Sequence, residues 1–196
     1  PTADVSARCV GMLAQCGLPP EHPAIRRGVE FLYGIQEDDG SWFGRWGTNY
    51  IYGTWSVLSA LNAAGEDPGS PRIRKAIEWL MSRQLPDVGW GEDCASYWPD
   101  RRAQVKGSTP SQTAWALLGL MAAGEVDSEA VRRGIAYLVN APRRKDKWDE
   151  ELYNAVGFPR VFFLRYHGYS RYFPLWALAR YRWLTSGNSR TTPYGL

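Results

Sequence analysis

Six aromatic side chains are concentrated in the short stretch GSWFGRWGTNYIYGTW, residues 40–55, which contains a single charged residue, Arg45. An aromatic ring can stabilise a cation above its face through the ring quadrupole. It can also stack on a flat ligand or fill a hydrophobic core. Because the whole chain is 14% aromatic, with ten Trp and eleven Tyr, the first question is which rings are core and which line a site.

Length and composition restrict the class of protein. The chain has 196 residues, of which 44% are hydrophobic and 22% charged. These values are typical of one folded domain and argue against disorder. The formal net charge is only +3, and the arginines are spread over several segments. The sequence therefore gives no indication of a nucleic-acid partner.

Cysteine and histidine usage indicates neither disulfides nor a metal site. Cys9, Cys16 and Cys94 are odd in number and lack disulfide spacing, which predicts a reducing, intracellular compartment. His22 and His167 lie in unrelated contexts and no CxxC pair occurs. We therefore expect no metal site and no cofactor.

The apolar stretches are too short to span a membrane. The longest charge-free ones, such as residues 114–124, fall well below the length of a transmembrane helix, and no signal peptide is visible. The sequence begins at Pro1 and not at Met, so we expect it to be a piece of a longer polypeptide.

Two kinds of helix alternate along the chain. The segments IRRGVEFL, IRKAIEWL and VRRGIAYL each place apolar residues at i, i+4 and i+7 with charged residues between them, which predicts amphipathic helices with one wet face. Before each lies a segment with almost no charge: SARCVGMLAQCG, TWSVLSALNAAG and TAWALLGLMAAG. A fourth such segment, YFPLWALARYRW, ends at Trp183. Helices that are apolar nearly all round must be buried.

The ends of these segments carry helix-termination signals. Each of the three charge-poor segments ends in a glycine, at Gly17, Gly65 and Gly124, which suits a helix C-cap. Ser70 and Ser128 stand where N-caps of the amphipathic helices are expected.

Buried helices that alternate with wet ones predict an all-α fold, an incomplete α/α toroid with inner helices along an axis and outer helices facing water. Only three and a half helix pairs are present, so we expect the array to continue before Pro1 or to pair with another chain. The predicted toroid segment covers residues 1–185, and the polar tail, residues 186–196, is predicted to be disordered.

A related turn follows each amphipathic helix: QEDDGSW, QLPDVGW and PRRKDKW. The first two combine glutamine, glycine and tryptophan, and the third has lost the glutamine and the glycines. A flat amide can lie on an indole while it bonds backbone groups at a helix end. We therefore assign a structural role to Gln36, Trp42, Gln84, Trp90 and Trp148.

The recurring QW turn, together with SWFGRWGTNYIYGTW, GWGEDCASY, STPSQTAWAL and GFPRVFFLRYHGYSRYFPLWALARY, resembles the triterpene cyclase family, above all the bacterial squalene–hopene cyclases. The resemblance covers residues 1 to about 185. It implies the C-terminal portion of a larger two-domain enzyme that cyclises squalene. It also implies a proton-donating DxDD motif upstream; this sequence has none, so no catalytic acid is assigned here.

The resemblance also implies which residues bind substrate. The family's active-site aromatics match Trp46, Tyr52, Phe158, Phe162, Tyr166 and Tyr169, with Leu164 shaping the wall and Asn49 in the surroundings of the acid. The last four rings recur at spacings of four, four and three, which would place them on one face if the segment were helical. Such rings would stabilise carbocations and exclude water. Trp55 is expected in the core.

Two other kinds of function remain open on the residues alone. A toroid enzyme acting on sugars would need paired carboxylates, and the acidic residues here cluster in turns and on wet helix faces. Glu92 and Asp93 are more typical of a salt bridge or a helix cap. A non-catalytic repeat module that binds a hydrophobic partner or a lipid is the main alternative.

The resemblance extends to partners and location. It implies squalene or a related linear triterpene as ligand, a pentacyclic product such as hopene, and the N-terminal remainder of the same polypeptide as a partner. A free edge of apolar helices would also make the chain prone to form a homodimer. The family implies a peripheral, monotopic membrane association inside a bacterial cell.

Overall fold

The computed structural model describes residues 1–102, 107–187 and 192, which are mostly helical. The elements, in chain order, are α1 (Ala3–Gln15), α2 (Pro23–Gly34), α3 (Tyr50–Ala63), α4 (Pro71–Ser82), two short 3₁₀ turns (Cys94–Tyr97 and Pro99–Arg101), α5 (Pro110–Ala122), α6 (Glu129–Asn140), β1 (Arg143–Arg144), β2 (Lys147–Trp148), β3 (Ala155–Phe158), β4 (Phe162–Leu164) and α7 (Tyr169–Ser186). The strands form two antiparallel hairpins, β1–β2 and β3–β4. No helix in the described part is both long and apolar enough to cross a membrane.

The helices form two layers. The inner helices α1, α3, α5 and α7 pack side by side in that order, and the outer helices α2, α4 and α6 pack on α1, α3 and α5 respectively. Every residue of α5 is buried, whereas α2 buries only the stripe Ile25, Val29 and Leu32. The alternation of inner and outer helices predicted from the sequence is therefore confirmed, and the layers form an open segment of an α/α toroid.

The predicted helix caps take the expected conformations. Gly17, Gly65 and Gly124 have φ angles of 89°, 78° and 87°, a left-handed conformation that glycine adopts without a Cβ penalty. Ser128 accepts a hydrogen bond from the N–H of Val131 at 3.3 Å, whereas Ser70 has the extended backbone of an N-cap but its side chain makes no capping hydrogen bond. The backbone of each inner helix can therefore turn sharply into the outer helix that follows it.

Glutamines join successive helical hairpins at the turns, which we call the first turn (residues 36–42), the second turn (84–90) and the third turn (142–148). The Nε2 atoms of Gln36 and Gln84 each donate to a carbonyl within their own turn at 2.9 Å. Each also donates, at 3.0 Å, to a carbonyl at the start of the next outer helix. Gln36 donates to the carbonyl of Arg72 in α4, and Gln84 donates to the carbonyl of Ala130 in α6. The glutamine therefore bridges one hairpin to the next.

Tryptophans brace each hairpin on its own. The indole N–H groups of Trp42, Trp90 and Trp148 all donate to the carbonyl ten residues earlier, in the preceding outer helix, at 2.7 Å. Trp42 and Trp90 are fully buried and Trp148 nearly so. The third turn thus keeps this brace although it has lost the glutamine, and its backbone forms the β1–β2 hairpin instead.

The segment that carries Phe158 and Phe162 is a hairpin, so a single helical face for the four C-terminal rings is wrong. Pro159 lacks a backbone N–H and Arg160 adopts a φ of 65°. Together they form a tight turn in which the N–H of Val161 donates to the carbonyl of Phe158 at 3.0 Å. Proline followed by a residue of positive φ is typical of a type II turn, and it interrupts any helix at this point.

The last inner helix is buried on one side only. The side of α7 that faces α5 includes the buried Ala177 and Leu184, whereas Tyr172, Leu175 and Trp183 are exposed. The burial expected all round this helix is therefore wrong for its far side.

Most of the tail predicted over residues 186–196 lies outside the described residues. Within it, Thr192 is buried, and its hydroxyl donates to the carbonyl of Met121 at 3.3 Å.

Candidate functional site

The residues expected to bind substrate come together from two regions far apart in sequence. They are Trp46, Tyr52, Phe158, Phe162, Leu164, Tyr166 and Tyr169, and we call this set the aromatic face. Trp46 lies in the loop before α3, and Tyr52 lies at the start of α3. Phe158, Phe162 and Leu164 lie on the β3–β4 hairpin, and Tyr166 and Tyr169 lie where the chain enters α7. Hydrogen bonds and ring contacts hold these three parts together.

Backbone hydrogen bonds attach the β3–β4 hairpin to the loop that carries Trp46. The N–H of Val156 donates to the carbonyl of Trp46, and the N–H of Thr48 donates to the carbonyl of Asn154, both at 3.2 Å. Between them, Gly47 and Ala155 form an isolated β-bridge. The loop thus pairs with β3 as a short third strand would, and this pairing brings Trp46 beside the hairpin.

Trp46, Phe158 and Phe162 form one half of the aromatic face. The rings of Phe158 and Phe162 meet edge to face across the hairpin turn, with centroids 5.6 Å apart. The guanidinium of Arg45 lies 4.2 Å from the ring centroid of Trp46 and 5.6 Å from that of Phe158. The rings of Trp46 and Phe158 therefore each make a cation–π contact with this guanidinium. All three rings are about half exposed, at 49%, 58% and 45%.

Tyr52, Tyr166 and Tyr169 form the other half, on a base of buried tryptophan. The ring of the fully buried Trp115 lies 4.9 Å from Tyr52 and 5.8 Å from Tyr169, and Tyr166 lies 5.0 Å from Tyr169. Trp55, which the sequence places in the core, is buried and stacks on Trp115 at 6.1 Å. The core therefore fixes the rings of this half from below.

A close approach between backbone and ring sets the position of Tyr52. A Cβ atom on Gly47 would lie 2.5 Å from the Tyr52 ring, so only glycine fits at this point of the loop. Gly47 also belongs to the β-bridge with Ala155. The two halves of the aromatic face are thus joined through this glycine.

The aromatic face consists of uncharged side chains and has two arginines at its edge. Burial, and then the neighbouring phenols of Tyr52 and Tyr166, raise the pKa of Tyr169 to about 12. Its hydroxyl therefore stays protonated at physiological pH. Besides Arg45, the guanidinium of Arg8 lies 5.8 Å from the ring centroid of Tyr52.

Hairpin geometry separates the wall residues into two sets. Side chains alternate between the two faces of a strand, so Phe162 and Leu164 lie on one face of β4 and Phe163 on the other. Phe163 packs against Tyr97 with centroids 5.9 Å apart, away from the aromatic face.

Asp4 contacts the site and was not found by reasoning from the sequence. Its side chain is 1% exposed, and its Oδ2 atom accepts a hydrogen bond from the N–H of Trp46 at 2.7 Å. The signal for it is the pair Asp4 and Arg8, which stand four residues apart, one helical turn, on an inner helix that is otherwise poor in charge. Such a pair on a helix lining the axis indicates a polar site.

Asn49 lies in the loop between Trp46 and Tyr52. It is fully buried, and its Oδ1 atom accepts from the N–H of Gly44 at 3.1 Å. Its role around an acid stays a prediction.

Glu92 and Asp93 are helix caps, as their sequence context favoured. Glu92 accepts from the N–H of Ile51 at 2.6 Å, at the start of α3, and Asp93 accepts from the N–H of Ala95 at 2.7 Å. No cluster of His, Cys, Asp or Glu within the described ranges is arranged to hold a metal ion.

Comparison with protein-family models places almost the whole chain in one domain. The model described as "Squalene-hopene cyclase C-terminal domain" matches residues 1–183.

Curated relatives agree with this match. The chain is 62% identical over 190 residues to a probable squalene–hopene cyclase of Sinorhizobium fredii, covering 96% of this chain and 29% of the relative. It is 58% identical to a squalene–hopene cyclase of Bradyrhizobium diazoefficiens, covering 100% and 30%. It is 36% identical to human lanosterol synthase, covering 83% and 23%. The chain thus spans less than a third of the length of these relatives.

Among solved structures, a variant of the type II terpene cyclase MstE from Scytonema, in complex with its product merosterolic acid A, has the same fold. The TM-score is 0.61 at 21% identity, covering 82% of this chain and 50% of the other. From the match over residues 1–183, the chain belongs to the squalene–hopene cyclase family and corresponds to its C-terminal domain.

Proposed function

We propose that this chain forms one wall of the reaction cavity in a full-length triterpene cyclase that converts squalene, or a related linear triterpene, to a pentacyclic product such as hopene. The observation that carries the proposal is the aromatic face, seven apolar or phenolic side chains gathered from three parts of the fold. Four of its members, Trp46, Phe158, Phe162 and Tyr166, are between 45% and 58% exposed in this chain.

The chemistry of the face suits a cascade of carbocations. Once an alkene is protonated, the positive charge moves along the chain as each ring closes, and it must be stabilised by groups that cannot attack it. An aromatic face contributes roughly 0.5–2 kcal/mol to a nearby cation, more where water is excluded. Phe158 and Phe162 have no nucleophilic atom. Tyr169, with a pKa raised to about 12, offers only a neutral phenol.

Rings that are fixed before the reaction act as preorganised electrostatics. Trp115 lies beneath Tyr52 and Tyr169, and β3 attaches the hairpin rings to the loop of Trp46. The rings therefore need no rearrangement when charge develops. We propose that the first proton comes from an acidic motif in the upstream part of the polypeptide, with Asn49 close to it.

We infer that the N-terminal remainder of the same polypeptide covers the aromatic face and completes the toroid. The two ends of the inner row are the places to extend it, since Val5 and Met12 of α1 and Leu175 and Trp183 of α7 are all exposed. A homodimer, if it forms, would use apolar surface that this remainder leaves free. Light scattering of the full-length protein decides between a monomer and a dimer.

A peripheral membrane location follows from the proposed substrate, because squalene is a hydrocarbon that partitions into bilayers. Flotation of the full-length protein with lipid vesicles tests this point, and a protein that stays with the aqueous fraction would contradict it.

The test of the proposed function uses two neighbouring phenylalanines on β4. In the full-length enzyme, Phe162→Ala removes a ring of the aromatic face, whereas Phe163→Ala removes a ring that packs on Tyr97. The loss of about 1–2 kcal/mol of cation stabilisation should raise the share of prematurely terminated products about tenfold in Phe162→Ala only. Product analysis by gas chromatography and mass spectrometry measures this share.

Phe163→Ala should lower stability without changing the product ratio. Equal product profiles for Phe162→Ala and the unmodified enzyme would contradict the proposal. In that case the alternative of a non-catalytic module that binds a lipid would be favoured.

A further inference from the structure

Two carboxylates occupy the same place in the repeat, two residues after the tryptophan of a turn. Glu92 follows Trp90, and Glu150 follows Trp148, whereas the corresponding residue after Trp42 is Gly44. The family resemblance and the chemistry of the aromatic face leave both glutamates without an assigned role in the reaction. We call them the capping carboxylates because each reaches the N-terminus of the inner helix that precedes it.

Glu92 caps α3 from more than forty residues away. Its Oε2 atom accepts from the N–H of Ile51 at 2.6 Å and from the N–H of Asn49 at 3.3 Å. The side chain is buried at 8% exposure. A carboxylate in this position interacts favourably with the free N–H groups and the dipole at a helix start. Burial nonetheless raises the pKa of the Glu92 carboxyl, although these N–H groups and Arg102 favour its ionised form.

The segment that Glu92 holds lies between the two N-terminal members of the aromatic face, Trp46 and Tyr52. A second side chain acts on the same loop, since the Nε2 atom of Gln112 donates to the carbonyl of Thr48 at 2.6 Å and, weakly, to the carbonyl of Glu92 at 3.4 Å. The loop is therefore fixed to Glu92, which follows α4, and to Gln112 of α5, and it cannot shift without breaking these bonds.

Glu150 caps α5, and its hydrogen bonds lead through Asn154 to the half of the aromatic face that contains Tyr166. Its Oε2 atom accepts from the N–H of Ser111 at 2.9 Å, and the hydroxyl of the same serine donates to the carboxylate. Its Oε1 atom accepts from the amide of Asn154 at 2.9 Å. The Oδ1 atom of Asn154 in turn accepts from the N–H of Tyr166 at 2.9 Å. A chain of hydrogen-bonded groups thus runs from the α5 cap to Tyr166.

We propose that Glu92 and Glu150 are positioning residues for cyclisation, each fixing a different half of the aromatic face. Glu92 holds the loop of Trp46 and Tyr52, and Glu150 holds Tyr166 through Asn154. The inference rests on the proposed function, because it assigns these residues an effect on where the cyclisation stops.

The two carboxylates differ in how many of their oxygens accept hydrogen bonds. The hydrogen bonds that Glu92 accepts from Ile51 and Asn49 both end on Oε2, so the single carbonyl oxygen of a glutamine can accept them. Glu150 accepts on both oxygens, from the backbone of Ser111 and from Asn154. A glutamine there would turn an NH₂ group toward one of these donors. Glu92→Gln should therefore keep the product ratio, and Glu150→Gln should change it.

The experiment measures product distribution in the full-length enzyme with squalene, at equal folded fractions checked by circular dichroism. Glu92→Ala should raise the share of truncated products about fivefold or more, because a loss of about 1 kcal/mol in the free energy that orders the loop changes a population about fivefold. The truncated products should be those that Tyr52→Ala gives. Glu150→Ala should reproduce the pattern of Tyr166→Ala. Glu92→Gln should restore the unmodified ratio, and Glu150→Gln should not.

Asp39→Ala is the matched control. Asp39 is also a partly buried carboxylate of this repeat, bonded to Ser41, Trp79 and Arg102, but it lies in the turn of residues 36–42 among the outer helices. Its loss should lower the melting temperature without changing the product ratio. If Glu92→Ala and Glu150→Ala behave as Asp39→Ala does, the capping carboxylates are structural only and the inference is wrong.

A second variant keeps the test decisive if Glu150→Ala fails to fold. Asn154→Ala leaves the cap of α5 in place and breaks only the link to Tyr166, so it should give the Tyr166→Ala pattern. An unchanged ratio in Asn154→Ala would overturn the positioning role of Glu150. If Tyr52→Ala and Tyr166→Ala themselves leave the products unchanged, the proposed function fails instead.

Discussion

The second and third turns each follow an outer helix. Their residues differ, but they share one contact. In the second turn, the amide of Gln84 donates to two carbonyls, and in the third turn Pro142 stands in its place. Both turns retain the tryptophan, and the indole N–H groups of Trp90 and Trp148 donate over the same distance, 2.7 Å, to the carbonyl ten residues earlier. The glutamine and the tryptophan of this motif are therefore separable.

The difference teaches what each residue of the motif is for. The acceptor that Gln84 reaches outside its own turn is the carbonyl of Ala130, in the next outer helix, α6. Within the described residues no outer helix follows α6, so a glutamine at position 142 would have no such acceptor. The acceptor of each tryptophan lies in its own hairpin. We infer that the tryptophan stabilises a hairpin and that the glutamine joins it to the next.

The largest effect expected from this division is the loss of either tryptophan. Trp90→Ala and Trp148→Ala in the full-length protein should each lower the free energy of opening of the preceding outer helix by about 3–5 kcal/mol, because a buried indole and its hydrogen bond disappear together. Hydrogen exchange of peptides from α4 and α6 measures this free energy.

Val139→Ala serves as the control, since Val139 is 53% exposed on the outer helix α6; its effect should stay within about 0.5 kcal/mol. If Trp148→Ala is as mild as Val139→Ala, the third turn does not depend on its tryptophan, and the division of roles is wrong.

The layers and the turns were accessible from the sequence because their signals are local. Apolar spacing along α2, glycine at the end of α3 and the recurring tryptophans all lie within a few residues of the structure they predict. The β3–β4 hairpin was missed because spacings of four residues suit a helix. Phe158 and Phe162 nevertheless meet, since they face each other across the turn made by Pro159 and Arg160.

The parts of the site that sequence reasoning did not reach depend on contacts between distant residues. Glu150 and Ser111 are 39 residues apart, and Asp4 and Trp46 are 42 apart. No periodicity or turn signal relates such pairs. Their positions follow only once the inner helices are packed in order, which is why the membership of the aromatic face came from family resemblance.

A smaller effect is expected from the glutamine of the second turn. Gln84→Ala removes two hydrogen bonds to backbone carbonyls and should lower the free energy of opening at the junction of α4 and α6 by about 1–2 kcal/mol. The comparison is sharpened by Pro142→Gln, which should give no gain because no outer helix after α6 offers a bridging acceptor in the part of the chain that the structure describes. Hydrogen exchange of the amides at the start of α6 measures the effect of both variants. A clear stabilisation by Pro142→Gln would contradict the bridging role.

The smallest effect concerns one backbone angle in the second turn. Val88 has a φ of 64°, at the place where the first turn has Gly40 with a φ of 98°. A left-handed conformation costs a residue with a Cβ roughly 1–2 kcal/mol, and a glycine at this position would avoid that cost. Part of the stabilisation is offset because glycine has more conformational entropy in the unfolded chain. Val88→Gly should therefore stabilise the second turn by about 0.5–1 kcal/mol, whereas Val88→Ala, which keeps the Cβ, should gain less. Hydrogen exchange at Gly89 and Trp90 measures both variants. A loss of protection in Val88→Gly would mean that the packing of the valine side chain outweighs its backbone strain.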